Sequence, residues 1–139
     1  MDVRRLNDAV SVAPQLSVAE IAEAARLGFR TLINNRPDGE DFLQPSAREL
    51  EAAARAQGLE YHHLPVVSGA LTERDVHAFR ELLAHAQRPV LAFCRSGTRS
   101  TTLWALAQAG GCNADEVIAA AAAAGYDVSG LRVILERGI

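Results

Sequence analysis

The chain has 139 residues, enough to enclose one core and too few for two of ordinary size, so it reads as a single domain over 1–139. Its net charge of −3, with no basic block, argues against a nucleic-acid partner. No apolar stretch reaches the length of a signal peptide or a membrane span, which argues against a membrane partner. Only two cysteines occur, Cys94 and Cys112, without the spacing of a metal clamp or a disulfide framework; a reducing, cytoplasmic setting with no metal is expected.

In chain order, Ser11 to Gln15 is a weak strand candidate, and Ser17 followed by Glu20 opens a first helix that Gly28 ends. Phe29 to Ile33 is the next strand. Ser46 with Glu49 opens a second helix that ends at Gly58, and Tyr61 to Pro65 follows as a strand. Thr72 with Asp75 opens a third helix, stopped at Gln87-Arg88-Pro89 because the residue before proline disfavours helical backbone. Val76, Phe79, Leu82, Leu83 and Ala86 recur at helical spacing along it, giving a face that packs on a sheet. Val90 to Phe93 is a short uncharged run, the mark of a central parallel strand covered on both sides. Helices are then expected from Thr98 to Gln108, ending at Gly110-Gly111, from a cap at Asn113 to Ala124, and over Ser129 to Arg137. Alternating strands and helices predict an α/β fold with a mostly parallel sheet of four or five strands flanked by helices.

The chemistry gathers in Cys94-Arg95-Ser96-Gly97-Thr98-Arg99-Ser100. Cys94 falls at the carboxyl end of a central strand, where open α/β sheets bind ligands, and the next element is a helix whose first turn presents free N–H groups to anions. Ser96, Gly97, Thr98 and Ser100 are small enough for the backbone to curl into an N–H-lined nest, and Arg99 adds positive charge. Both features favour the thiolate, the nucleophilic form of cysteine. Cys94 and Arg99 are therefore the candidate catalytic residues, with Arg95, Ser96, Gly97, Thr98 and Ser100 as substrate-binding candidates. Cys112, after a Gly-Gly stop and without basic neighbours, reads as structural, and Leu103 and Trp104 as core.

This loop resembles those of two groups of cysteine enzymes, the protein tyrosine and dual-specificity phosphatases and the rhodanese-like sulfurtransferases. Four residues separate Cys94 from Arg99, with Gly97 third after the cysteine, which looks like the rhodanese pattern; the phosphatase signature has one residue more. A smaller ring of donors suits the terminal sulfur of a persulfide better than a tetrahedral phosphate. The segment Tyr61 to Gly69 is similar to the phosphatase loop that carries a general-acid aspartate, but Val67 or Ser68 stands about where that acid would be, and neither protonates a leaving oxygen. Glu73 and Asp75 are nearby, in the first turn of a helix, where capping explains them.

With Asn34-Asn35-Arg36-Pro37-Asp38-Gly39-Glu40 and Leu64-Pro65-Val66 added, the chain resembles nearly end to end a small bacterial family of phosphatase-like or sulfurtransferase proteins, related to the N-terminal domain of beta-lactamase-hydrolase-like proteins. The resemblance implies a dual-specificity-phosphatase-like fold and work in sulfide or persulfide metabolism, since some members are fused to persulfide dioxygenase-like or sulfide-oxidising domains. The leading expectation is thus a sulfurtransferase storing sulfur on Cys94, with a small-molecule sulfur donor, a thiol acceptor, a sulfide-oxidising or persulfide dioxygenase partner, and no cofactor. A phosphatase forming a Cys94 phosphoenzyme is the alternative; a catalytically silent oxyanion- or phosphoprotein-binding module is a second. Arg36 is a further substrate-binding candidate, because a second guanidinium would hold an anion bidentately. For Asn35, Asp38 and Glu40, contact with substrate and a solvated Pro-Asp-Gly turn weigh about equally. His62 and His63 alternate on a strand, so at most one faces Cys94.

Overall fold

A computed structural model describes residues 1–139. Five strands form one sheet: β1 (Arg4–Arg5), β2 (Val10–Ala13), β3 (Thr31–Asn34), β4 (Glu60–His63) and β5 (Val90–Phe93), in the order β1-β2-β5-β3-β4. Only β1 runs antiparallel; β2, β5, β3 and β4 pair in parallel, so their carboxyl ends share one edge. At that edge Ala13 and Asn34 lie in register with Phe93 on either side, immediately before Cys94.

The helices are α1 (Val18–Arg26), α2 (Ala47–Ala56), α3 (Glu73–His85), α4 (Thr98–Ala107), α5 (Ala114–Ala123) and α6 (Arg132–Arg137), the last preceded by a 3₁₀ turn at Ser129–Leu131. The first three begin where the sequence places them. The side chains of Ser17, Ser46 and Thr72 each accept a backbone N–H three residues on, and Glu20, Glu49 and Asp75 in turn accept the cap's own N–H. The last expected helix is split by its 3₁₀ turn, and β1 is a strand that two arginines did not announce.

Side chains alternate across the central strands and build a core on each face. Val10, Val12, Ile33, Val90 and Ala92 point to the side covered by α3, α4, α5 and α6, where Phe79, Leu103 and Leu135 are fully buried. Leu32, Leu91 and Phe93 point to the side of α1 and α2, with Ile21 and Leu50. This two-sided burial explains the uncharged β5 run and fixes its register, because a one-residue slip would exchange the two faces. In α3, Val76 and Phe79 are buried while Leu82, Leu83 and Ala86 pack at the margin of the same core. No helix is long and apolar enough to cross a membrane.

Candidate active site

Cys94 leaves the end of β5 fully buried, and the chain turns through Arg95, Ser96 and Gly97 into α4. Gly97 is the N-cap of α4 with φ +92°, a left-handed conformation that side chains with a Cβ rarely adopt. Its N–H donates to Cys94 Sγ at 3.1 Å. Three successive loop carbonyls are held on the other side of the turn. The Arg95 carbonyl accepts from Gln15 N at 3.2 Å, that of Ser96 from the Tyr126 hydroxyl at 2.9 Å, and that of Gly97 from Thr101 Oγ1 at 2.8 Å. In a trans peptide the C=O and the following N–H point in opposite directions, so carbonyls drawn away from the turn leave its N–H groups facing inward.

Neighbouring strands brace the loop from below. Ser100 Oγ donates to Asn35 Oδ1 at 2.8 Å, and Asn35 in turn donates to the Leu64 carbonyl at 3.0 Å, both residues being buried. This ties the first turn of α4 to the ends of β3 and β4. Ser100 is thus spent on the scaffold.

Arg99 is clasped. Its two terminal nitrogens each lie 2.8 Å from an oxygen of Glu40, and Nη1 also donates to the Val66 carbonyl at 2.9 Å. Glu40 takes a further bond from Arg36 Nε at 3.0 Å, and its carboxyl is held down at about 2, foremost by the Arg99 hydrogen bonds, with burial opposing and Arg36 adding to them. Glu40 raises the Arg99 guanidinium in return, burial opposing and the Cys94 charge assisting. At neutral pH Glu40 is therefore an anion and not a proton donor. The linkage has a definite sign: a carboxyl lowered on folding from 4.5 to about 2 adds stability above pH 4.5 that is lost as pH falls through that window. The gap in thermal midpoint between the wild type and Glu40→Gln is expected to be widest near neutrality and to narrow below pH 4.5; a gap constant across a pH series would refute the pairing.

Above the loop opens a cleft of about 370 Å³ lined by Glu40, Ser68, Arg95, Ser96, Thr98 and Arg99, with no apolar residue among them. Larger hollows exist, such as one of about 530 Å³ between β4 and α3 and one of about 390 Å³ beside Cys112, but neither is lined by residues of the Cys94 turn. The residues singled out in the sequence divide accordingly. Arg95, Ser96, Thr98 and Arg99 line the cleft, and Cys94 and Gly97 form its turn. Arg36, expected at the substrate, is 3% exposed and lies behind Glu40, where Nη1 donates to Gln15 Oε1 at 3.1 Å. Asp38 caps the start of α2 by accepting from Ala47 N at 2.7 Å. Neither histidine is paired with Cys94: His62 Nε2 meets Glu60 at 2.6 Å and His63 Nε2 meets the Arg36 carbonyl at 2.8 Å. Cys112 is a free, half-buried thiol near the Leu135 carbonyl. The clasp by Glu40 and the Tyr126 contact were not foreseen, because both partners are remote in sequence.

A buried cysteine in a turn of inward N–H groups, between a parallel strand and a helix that carries an arginine in its first turn, defines a phosphatase-like α/β domain of the tyrosine and dual-specificity kind. Tk-PTP and PTPMT1 share the fold at a TM-score of 0.70 each, with 19% and 21% identity, covering 96% of this chain and 92% of theirs. The family model for the phosphatase-like domain of beta-lactamase hydrolase-like proteins matches residues 2–111, and the chain belongs to that family. It is 38% identical over 139 residues to a beta-lactamase hydrolase-like protein of Xylella fastidiosa, covering 99% of this chain and 32% of that one. The chain thus spans about a third of the length of that relative. A Neisseria meningitidis protein described as a candidate phosphatase superposes with a TM-score of 0.86 at 37% identity, covering 98% of this chain and 97% of its own.

These relatives correct the leading expectation. The matched family and the Neisseria structure are phosphatase-like, and neither supports a rhodanese-like sulfurtransferase carrying a persulfide. Spacer length and cargo size are separate quantities in this fold. The cleft is bounded by Ser68 and Glu40 from other loops as well as by the turn, so the spacer between Cys94 and Arg99 does not by itself set what fits there.

Proposed function

We propose that the chain is a cysteine-dependent phosphatase that hydrolyses phosphate monoesters through a Cys94 phosphoenzyme. The observation that carries this reading is the Gly97 N–H donated to Cys94 Sγ in a turn whose Arg95 and Ser96 line a polar cleft together with Arg99, within a phosphatase-like family. In the first step the thiolate attacks phosphorus, an S–P bond forms, and the P–O bond breaks to release the alcohol or phenol oxygen as an anion. In the second, water attacks phosphorus, inorganic phosphate leaves, and the thiolate returns. The inward N–H groups and the Arg99 and Arg95 side chains take up the charge on the phosphoryl oxygens, with no metal or organic cofactor. Such a thiolate suits a reducing compartment such as the cytoplasm.

The cleft also defines a substrate class. Its single carboxylate, Glu40, is ionised, and the rest of its lining offers hydroxyls and guanidiniums but no acid to serve the leaving group. Substrates are therefore phosphates on good leaving groups, aryl esters or anhydrides, which depart without a proton. Brief incubation with an aryl phosphate, acid quench and intact-mass measurement should find one phosphate added to the wild-type chain and none to Cys94→Ser. No added phosphate under any quench, together with no release of phosphate, would overturn the reading.

A further inference from the structure

Tyr126, in the connection after α5, lies outside the residues the family model matches, yet it reaches the turn that holds the nucleophile. Its hydroxyl donates to the Ser96 carbonyl at 2.9 Å, and the N–H of that same peptide unit, belonging to Gly97, donates to Cys94 Sγ at 3.1 Å. The peptide is planar and trans, so fixing its carbonyl on one side fixes its N–H on the other. Hydrogen bonds linked through one amide also polarise each other, and a donor on the carbonyl makes the N–H a stronger donor. Of the three restrained loop carbonyls, that of Ser96 is the one held by a side chain from outside β2, β5 and α4.

The turn and the tyrosine are fitted to each other. A Cβ built on Gly97 would stand 2.1 Å from the Tyr126 hydroxyl oxygen, so Gly97 is required by contact as well as by its positive φ. Behind the ring, the Arg4 guanidinium of β1 lies 5.3 Å from its centroid and donates to the Ala124 carbonyl at 3.0 Å, holding the ring between strand and turn. Burial, foremost, pushes the phenol up, with Arg4 opposing and the Cys94 charge adding to it, so the hydroxyl stays protonated and remains a donor.

We propose that Tyr126 is a positioning residue that holds the Ser96–Gly97 peptide in the orientation that donates to the Cys94 sulfur. The charged neighbour of that sulfur is Arg99 from α4, itself paired with Glu40, while Arg4 from β1 acts on the Tyr126 ring; Arg99 is unchanged in the test variant, so a difference reports on the amide. The inference rests on Cys94 being the nucleophile but not on phosphate being its cargo. Tyr126→Phe keeps the ring against Gly97 and removes only the donor. Expected results are alkylation of Cys94 by iodoacetamide about three- to tenfold slower at neutral pH, a weaker thiolate ultraviolet absorbance, and a matching fall in kcat with KM little changed, the scale set by one neutral hydrogen bond. Cys112 is removed in both proteins by Cys112→Ala so that one thiol is read. Alkylation and absorbance equal to the Tyr126 protein would overturn the proposal, whatever the change in thermal midpoint. If the Tyr126 protein releases no phosphate, the phosphatase reading fails, and alkylation still decides the role of Tyr126.

Discussion

Cys94→Ser is expected to lower aryl phosphate turnover on the order of 10⁴-fold or more, the scale seen when a covalent nucleophile is removed, while leaving the cleft able to bind phosphate. The sulfur is fully buried at the end of β5 and accepts the Gly97 N–H, and a serine oxygen fits that space and that donor, so the fold should persist. Serine is far less acidic than cysteine, however, and no residue present takes its proton: His62 and His63 are bound to Glu60 and to the Arg36 carbonyl. The loss should therefore appear almost wholly in kcat. Initial rates with an aryl phosphate, alongside calorimetric titration with inorganic phosphate, check both halves. Turnover within tenfold of the wild type would remove Cys94 from the chemistry. Equal binding by two proteins that are both inactive would instead favour the module that only binds oxyanions, a reading for which the Glu40 hold on Arg99 is the supporting contact.

What the sequence disclosed follows from how local each signal is. Ser17, Ser46 and Thr72 each complete a capping box with a residue three positions away, so the starts of α1, α2 and α3 were legible. The loop from Cys94 to Ser100 was legible for the same reason: its strand, its glycine and its arginine are contiguous. β1 was not, since Arg4 and Arg5 join the sheet by backbone pairing with Val12 and Ser11, and an exposed edge imposes no apolar alternation. Arg99 finds Glu40 across 59 residues and Tyr126 finds Ser96 across 30, distances at which no spacing rule applies. The two omissions differ in kind. Glu40 was in view as a candidate for substrate contact, and the fold gave it an arginine instead; Tyr126 carried no signal at all. Spacer length failed as a guide to cargo because a cleft's volume depends on every loop that walls it, and Ser68 and Glu40 come from two others.

Ser68→Asp is expected to raise hydrolysis of alkyl phosphates by about tenfold to a hundredfold, at the low end of what a positioned general acid contributes, with little effect on aryl phosphates. Alkyl alcohols leave slowly as anions and gain from a proton; phenols with electron-withdrawing groups do not. Of the two positions where an acid is missing, both are exposed but only Ser68 lines the cleft, so the substitution belongs at Ser68. The new carboxyl would share the cleft with Arg95 and Arg99, which favour its ionised form. Because the donor must be protonated, the gain should be largest in mildly acidic solution and fade as pH rises through the new group's titration. Glu40, already ionised down to about 2, contributes no competing limb. Rates for a series of phosphates graded by leaving-group acidity give the decisive slope. The wild type should fall steeply as the leaving group becomes more basic, and Ser68→Asp should flatten that fall. A wild-type slope already shallow would mean that an acid operates elsewhere, and would overturn the restriction to good leaving groups.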